Sequence, residues 1–219
     1  MYLKHIMTDI KSRINSLLTS DAARETGLII NNFGSKCSSF VEFGTRGGVT
    51  GALILGSLQN GNKGQWMPRY VGVDLVTDES VEMIDKLAKV NGISFQFWRG
   101  HTTQYPIHET DALVWDTFHA GGALLLDLER MSPFVHKYIM ILGINSFGSV
   151  SEATATNFDI AAVSKELYTD EAGAKMGLKE AIAKFLEKHK EWATVREFGE
   201  LCVLERKIPI SNGLFSPRA

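Results

Sequence analysis

Short apolar runs alternate with helical stretches along most of this chain, and that alternation constrains its fold more than any other feature. Ser39-Phe40-Val41-Glu42-Phe43 has the pattern of a buried strand closed by Gly44, and Val49 to Leu58 after it reads as a helix. Tyr70 to Leu75 is a second strand. Val81, Ile84, Leu87 and Ala88 then mark an amphipathic helix that ends at Asn91-Gly92. Ile93 to Trp98, Ala112 to Trp115 and Tyr138 to Leu142 continue the series as strands. Between the last two lies a helix carrying Leu124, Leu128 and Met131, stopped near Pro133. The polar stretch from Asn145 to about Thr169 has weak periodicity, and a loop of that length is a lid, a binding loop or a disordered segment. Leu178, Ile182, Phe185 and Leu186 mark a last helix. Ala193 to Phe198 and Leu201 to Glu205 follow, separated only by Gly199-Glu200, and so form an antiparallel hairpin. The expected architecture is α/β: a doubly wound, mostly parallel seven-stranded sheet ending in an antiparallel hairpin.

With 219 residues and no internal repeat or Pro/Ser linker, one core domain is expected, over residues 36–208. Residues 1–35 read as a helical segment packed on it. Ile6, Ile10, Ile14, Leu17 and Leu18 fall at helical spacing there, and Thr19-Ser20-Asp21 offers a cap for a second helix. Residues 209–219 form a tail, either a surface segment or a contact in a homo-oligomer. Twenty-three Lys+Arg against 25 Asp+Glu give a net charge of -2, which argues against a nucleic-acid or anionic-membrane partner. Met1 to Ile10 carries Lys4, His5 and Asp9 among its apolar residues and does not read as a signal peptide. No run approaches the ~20 apolar residues of a membrane span. Cys37 and Cys202, the two cysteines, read as buried, inert thiols rather than a disulfide framework or zinc site. A cytoplasmic protein is expected.

In a doubly wound sheet the ligand sits beyond the carboxyl ends of the strands. The loop there is Glu42-Phe43-Gly44-Thr45-Arg46-Gly47-Gly48, running straight into a helix. Gly44 suits a turn with positive φ, Gly47 and Gly48 allow close backbone approach, and the helix N–H groups suit an anionic group. No two glycines are separated by a single residue, so the dinucleotide fingerprint is absent, as is the phosphate-binding loop ending in Lys-Ser/Thr. An acid instead precedes the first glycine by two residues. A second acid, Asp74, ends the second strand, where a ribose could be held.

Val41-Glu42-Phe43-Gly44-Thr45-Arg46-Gly47-Gly48-Val49-Thr50 resembles motif I of class I S-adenosylmethionine-dependent methyltransferases, which are Rossmann-like. It is most similar to a glycan-associated subgroup related to sugar O-methyltransferases and cephalosporin-hydroxylase-like proteins. Val73-Asp74, Trp115-Asp116-Thr117-Phe118-His119 and the terminal helix plus hairpin agree with it in order. The resemblance implies an enzyme with S-adenosyl-L-methionine as cofactor and a hydroxyl of a small molecule or glycan as acceptor. It also implies a cofactor site of Glu42, Gly44, Thr45, Arg46, Gly47, Gly48, Asp74, Trp98, His101 and Asp116. Glu42 would lie on the ammonium side and Asp74 on the ribose. Trp98 and His101 would flank the base.

The departures are specific. Gly143-Ile144-Asn145 stands where the subgroup commonly has His-Asp-Thr, Gly100-His101 where Gly-Asp is common, and Gly121-Gly122 in place of a Tyr. His119, three residues after Asp116, is the expected general base, with Asp116 orienting it. With Gly143-Ile144 offering no ligands, activity without a metal, or at most weak stimulation by a divalent ion, is expected. The alternative is a binding module or partner of a glycan-processing enzyme that keeps the fold without turnover. Arg46 could steer an anionic substrate or pair with a nearby acid, and Trp66 stands out as a substrate or subunit contact. Asp116-Thr117-Phe118-His119 is not the Pro-Pro motif of base methylation, and the glycine spacing disfavours a nicotinamide enzyme.

Overall fold

The computed structural model describes residues 21–45, 47–61 and 67–208. The expected N-terminal helix before Asp21, Arg46, Trp66 and the 209–219 tail lie outside the described residues. Helix α1 (Asp21–Gly34) leads into β1 (Ser39–Phe43), α2 (Val49–Gly61), β2 (Arg69–Asp74), α3 (Glu79–Val90), β3 (Ser94–Arg99) and β4 (Thr110–Trp115). After α4 (Gly121–Met131) and β5 (Val135–Ile141) come four short helices: α5 (Ile144–Phe147), α6 (Glu152–Ala155), α7 (Ile160–Glu166) and α8 (Glu171–Lys175). Helix α9 (Leu178–Lys188) and the hairpin β6 (Trp192–Phe198) and β7 (Leu201–Arg206) complete the chain.

The strands form one sheet in the order β3-β2-β1-β4-β5-β7-β6, parallel except for β7. Alternation along each strand divides the core in two. Phe43, Trp115 and Ile139 face α4 and α9, whereas Phe40, Tyr70, Val114 and Met140 face α1, α2 and α3. The strand order reverses between β1 and β4, so the switch point falls where Gly44 and Asp116 leave the sheet. Both cysteines are buried, and burial pushes each thiol up to about 12. Among the described residues no helix is long and apolar enough to cross a membrane.

The stretch read as a loop, 145–169, is the main correction to the expected elements. It holds α5, α6 and α7, each too short to display a hydrophobic period. Ser151, Asp159 and Asp170 cap α6, α7 and α8 by accepting from backbone N–H groups of the first turn. The four-helix segment docks through Gly122 and Gly173: a Cβ on Gly122 would lie 2.7 Å from Gly173 Cα. A side chain at position 122 would displace α8.

Candidate active site

Gly44 ends β1 with φ +89°, and a Cβ there would overlap the carbonyl oxygen of Asp116. Only glycine permits both the turn and the close approach. Two backbone bonds tie the switch point: Gly44 N–H donates to Val73 O at 2.8 Å, and Asp116 N–H to Phe43 O at 2.8 Å. The strand ends therefore bring Gly44, Asp74, Gly100 and Asp116 to one rim, around a cavity of about 460 Å³. That is within the about 300–1,000 Å³ of small-molecule sites. Helices α6 and α7 close its far side with Glu152, Val163 and Glu166.

The residues named from sequence divide into two groups. Gly44, Asp74, His101, Asp116 and His119 all line the cavity. Asp74 Oδ1 also accepts from Val76 N–H at 3.1 Å, which fixes its carboxylate at the end of β2. His101 Nδ1 lies 2.9 Å from Thr103 Oγ1, and its ring meets Tyr168 edge-on at 4.7 Å. Burial lowers the His101 pKa, against the pull of Glu166. Glu42, Thr45, Gly47, Gly48 and Trp98 do not line the cavity. Thr45 is buried, Gly48 abuts Ser80 and Met83 of α3, and nothing lies within 4 Å of where a Gly47 Cβ would stand. Trp98 lies on the α4 side of the sheet, against Tyr105 and beneath Gly100.

Glu42 is fully buried and points toward α2 and α3, because it shares the strand face of Phe40. Its Oε2 accepts from the Tyr70 hydroxyl, and Oε1 has no partner. Burial raises its pKa to about 8, with the carboxylates of Asp116 and Asp74 adding to the shift and the Tyr70 hydrogen bond opposing it. In this arrangement the side chain is turned away from the cavity that an ammonium group would enter.

His119 is held on three sides. Its Nδ1 and its backbone N–H both lie 3.0 Å from Glu152 Oε2, and its ring stacks on Phe147 at 4.8 Å. Nε2 is buried and faces Asp116 Oδ1 at 3.6 Å, an ion-pair separation too long for a hydrogen bond. Burial disfavours charge on the ring, but Asp116 and Glu152 together outweigh it and raise the pKa. A neutral ring would turn a lone pair toward a carboxylate at one nitrogen, whereas the imidazolium presents an N–H to both acids. Asp116, whose side chain is 32% exposed, stands on the cavity side of this pair. Glu152 was missed from the sequence. It is 33 residues from His119 within a stretch of no clear period, and its only local signal is the capping Ser151 before it.

A second unpredicted acid, Asp127 of α4, is 2% exposed and lines the cavity beside Thr102. Trp115 Nε1–H donates to its Oδ2 at 3.0 Å, and Oδ1 lies 4.0 Å from Arg130 Nη1, an ion-pair separation beyond hydrogen-bond reach. Burial pushes its pKa up to about 6. Among the described residues no three His, Cys, Asp or Glu side chains are arranged to hold a metal ion.

No protein-family model and no curated protein sequence matches the chain. Solved structures do resemble it in fold. One is the 1,6-didemethyltoxoflavin-N1-methyltransferase of Burkholderia thailandensis, with its substrate and S-adenosylhomocysteine bound. It is 13% identical with a TM-score of 0.56, over 94% of this chain and 88% of that one. A Podospora anserina methyltransferase bound to S-adenosylhomocysteine has a TM-score of 0.52 at 10% identity, over 93% of this chain and 88% of its own. An O-methyltransferase family protein of Burkholderia thailandensis has a TM-score of 0.52 at 12% identity, over 97% and 71%. The chain has the Rossmann-like methyltransferase fold.

Proposed function

We propose that this chain is an S-adenosylmethionine-dependent O-methyltransferase acting on a hydroxyl of a small acceptor, with a sugar of glycan assembly as the acceptor class. The observation that carries the cofactor is the convergence of the Gly44 turn, Asp74 and Asp116 on one cavity at the switch point. The residues present fit that cofactor: the Gly44 cradle leaves backbone open to it, and Asp74 is placed for ribose hydroxyls. Asp127, with its Oδ1 4.0 Å from Arg130 Nη1, adds a buried acceptor to the same wall. Two structural relatives with S-adenosylhomocysteine bound support the same reading. The sugar acceptor rests on the resemblance of motif I and the Asp116–His119 segment.

When bound, the cofactor supplies an electrophilic methyl group, and the chain aligns the acceptor and takes its proton. Asp116 is the carboxylate on the cavity side, so it meets the hydroxyl and accepts the proton as the methyl arrives. His119, clamped by Glu152 and Phe147, stands behind Asp116 and holds its carboxylate in place. This exchanges the order expected from sequence, in which His119 met the hydroxyl.

Gly143-Ile144 after β5, where the resembled subgroup commonly has His-Asp, favours a second reading, binding without turnover. Calorimetry with S-adenosylmethionine and S-adenosylhomocysteine tests the first reading, and binding by both is expected. No heat from either at millimolar concentration would remove it. Binding without methyl transfer across a broad panel of sugar acceptors would select the second.

A further inference from the structure

We infer that the acceptor is an uncharged glycoside with an apolar, aryl or alkyl, aglycone, rather than a phosphorylated or nucleotide-linked sugar. The inference rests on the methyltransferase reading above and deepens it. Two independent features of the cavity carry it.

The first is charge. Asp74, Asp116, Asp127, Glu152 and Glu166 line the cavity; with Asp74 and Asp127 on the cofactor's wall, Asp116, Glu152 and Glu166 remain for the acceptor, and among the described residues no Lys or Arg lines it. Among the described residues His101 and His119 are the only basic lining groups, and His119 is already held between Asp116 and Glu152. Asp127 adds a buried carboxyl to the wall, its Oδ1 4.0 Å from Nη1 of Arg130, which does not itself line the cavity. A phosphate or carboxylate on the acceptor would meet carboxylates, with no Lys or Arg among the described lining residues to neutralise it, and such juxtaposition disfavours a ligand. Hydroxyl and ammonium groups are donors and find acceptors on these walls.

The second is the mouth. Large hydrophobic side chains exposed to water cluster there. Leu75 (49% exposed) lines the cavity and Val76 (48%) follows it. Phe158 (52%) packs on the lining ring of Phe118 at 5.9 Å, and Tyr168 (57%) on His101 at 4.7 Å. Two of these come from the helical segment that walls the acceptor side, and Tyr168 is held at φ +54°, a conformation rare for an aromatic residue. A polar sugar alone covers none of this surface, whereas an apolar aglycone leaving the cavity would lie across it.

Ligand-observed NMR with the full chain and S-adenosylhomocysteine tests the inference. The probes are matched phenyl and methyl β-glycosides of glucose, galactose and rhamnose, and phenyl β-glucoside 6-phosphate. With at least one sugar, the phenyl glycoside binds about tenfold more tightly than the methyl glycoside, and the phosphate does not bind measurably. Phe158→Ser with Tyr168→Asn removes the phenyl preference and leaves methyl-glycoside binding unchanged; asparagine tolerates the positive φ. Glu166→Gln strengthens binding of the phosphate probe. Equal affinity of phenyl and methyl glycosides, or phosphate binding as tight as the neutral parent, overturns the inference while the methyltransferase reading stands. Binding of no glycoside in the presence of bound S-adenosylhomocysteine overturns it and the sugar assignment together. Failure of S-adenosylhomocysteine itself to bind removes the methyltransferase reading, and with it the inference that rests on it.

Discussion

The ring of His119 occupies the space that any side chain at position 143 would fill. A Cβ built on Gly143 would overlap His119 Cδ2 and Nε2, and Gly143 sits at φ +80°. Glycine at position 143 is therefore a condition for the position of His119. Substitution of one cannot be separated from the other.

Gly143→Ala should displace the imidazole from Asp116 and strain the turn at the same time. Crowding a packed site costs about 1–3 kcal/mol, and an alanine at positive φ adds about 1 kcal/mol. A fall in Tm of about 5–10 °C is expected by calorimetry, with methyl transfer lost and affinity for S-adenosylhomocysteine retained. A variant with parental Tm and turnover would show that the ring does not need that space.

Asp116→Asn should lower kcat by about 100-fold, the typical worth of a general base. His119→Gln should cost less, about tenfold, because the ring supports Asp116 from behind. A larger loss in His119→Gln than in Asp116→Asn, measured under saturating substrate, would restore His119 as the base. With Nδ1 on Glu152 and Nε2 turned to Asp116, neither ring nitrogen is open to a metal ion. Chelator is expected to leave kcat unchanged.

Glu152→Gln removes one of the two acids that raise the His119 pKa. NMR titration of the imidazole should show a lower pKa in the variant than in the parent. For a raised histidine the stability it contributes is full below the unfolded value of about 6.5 and lost as pH rises through the folded value. The variant should therefore lose stability at pH 6 and approach the parent at pH 9. An unchanged titration would disprove the pairing.

Glu42 gives the opposite experiment. Its folded pKa of about 8 lies above the ordinary 4.5, so the folded chain holds a proton that the unfolded chain releases. The stability linked to that proton is full below about 4.5 and lost as pH rises through about 8. Glu42→Gln keeps a partner for Tyr70 without the titration. It should match the parent near pH 4.5 and exceed its Tm by about 5 °C or more at pH 8.5; a parallel pH dependence in both proteins would show that Glu42 does not titrate there.

Gly44→Ala should abolish binding of S-adenosylhomocysteine, because a methyl group there would overlap Asp116 O and separate the strand ends. Calorimetry alongside thermal melting checks this. Parental affinity in a folded variant would show that the close approach is dispensable.

The alternation of apolar runs was enough to place every strand of the sheet to within a few residues, and the terminal hairpin with it. Buried strands and amphipathic helices write their burial into local periodicity, so β1 and α9 are legible without a structure. The same locality placed Gly44, Asp74 and Asp116, since each directly follows or ends a strand and the carboxyl edge is where a parallel sheet binds ligands. What the sequence leaves undetermined is the direction in which a side chain points and what comes to meet it across the fold. Glu42 follows motif I in spacing, yet strand alternation and the Tyr70 hydroxyl turn it into the core. Helices α5 to α8 are too short to carry a period, and Glu152 of α6 meets His119 through side chain and backbone alike, its N–H donating to His119 O at 2.8 Å. Local patterns report burial, whereas the pairing of an acid with an imidazole 33 residues away depends on packing that forms only in the tertiary structure.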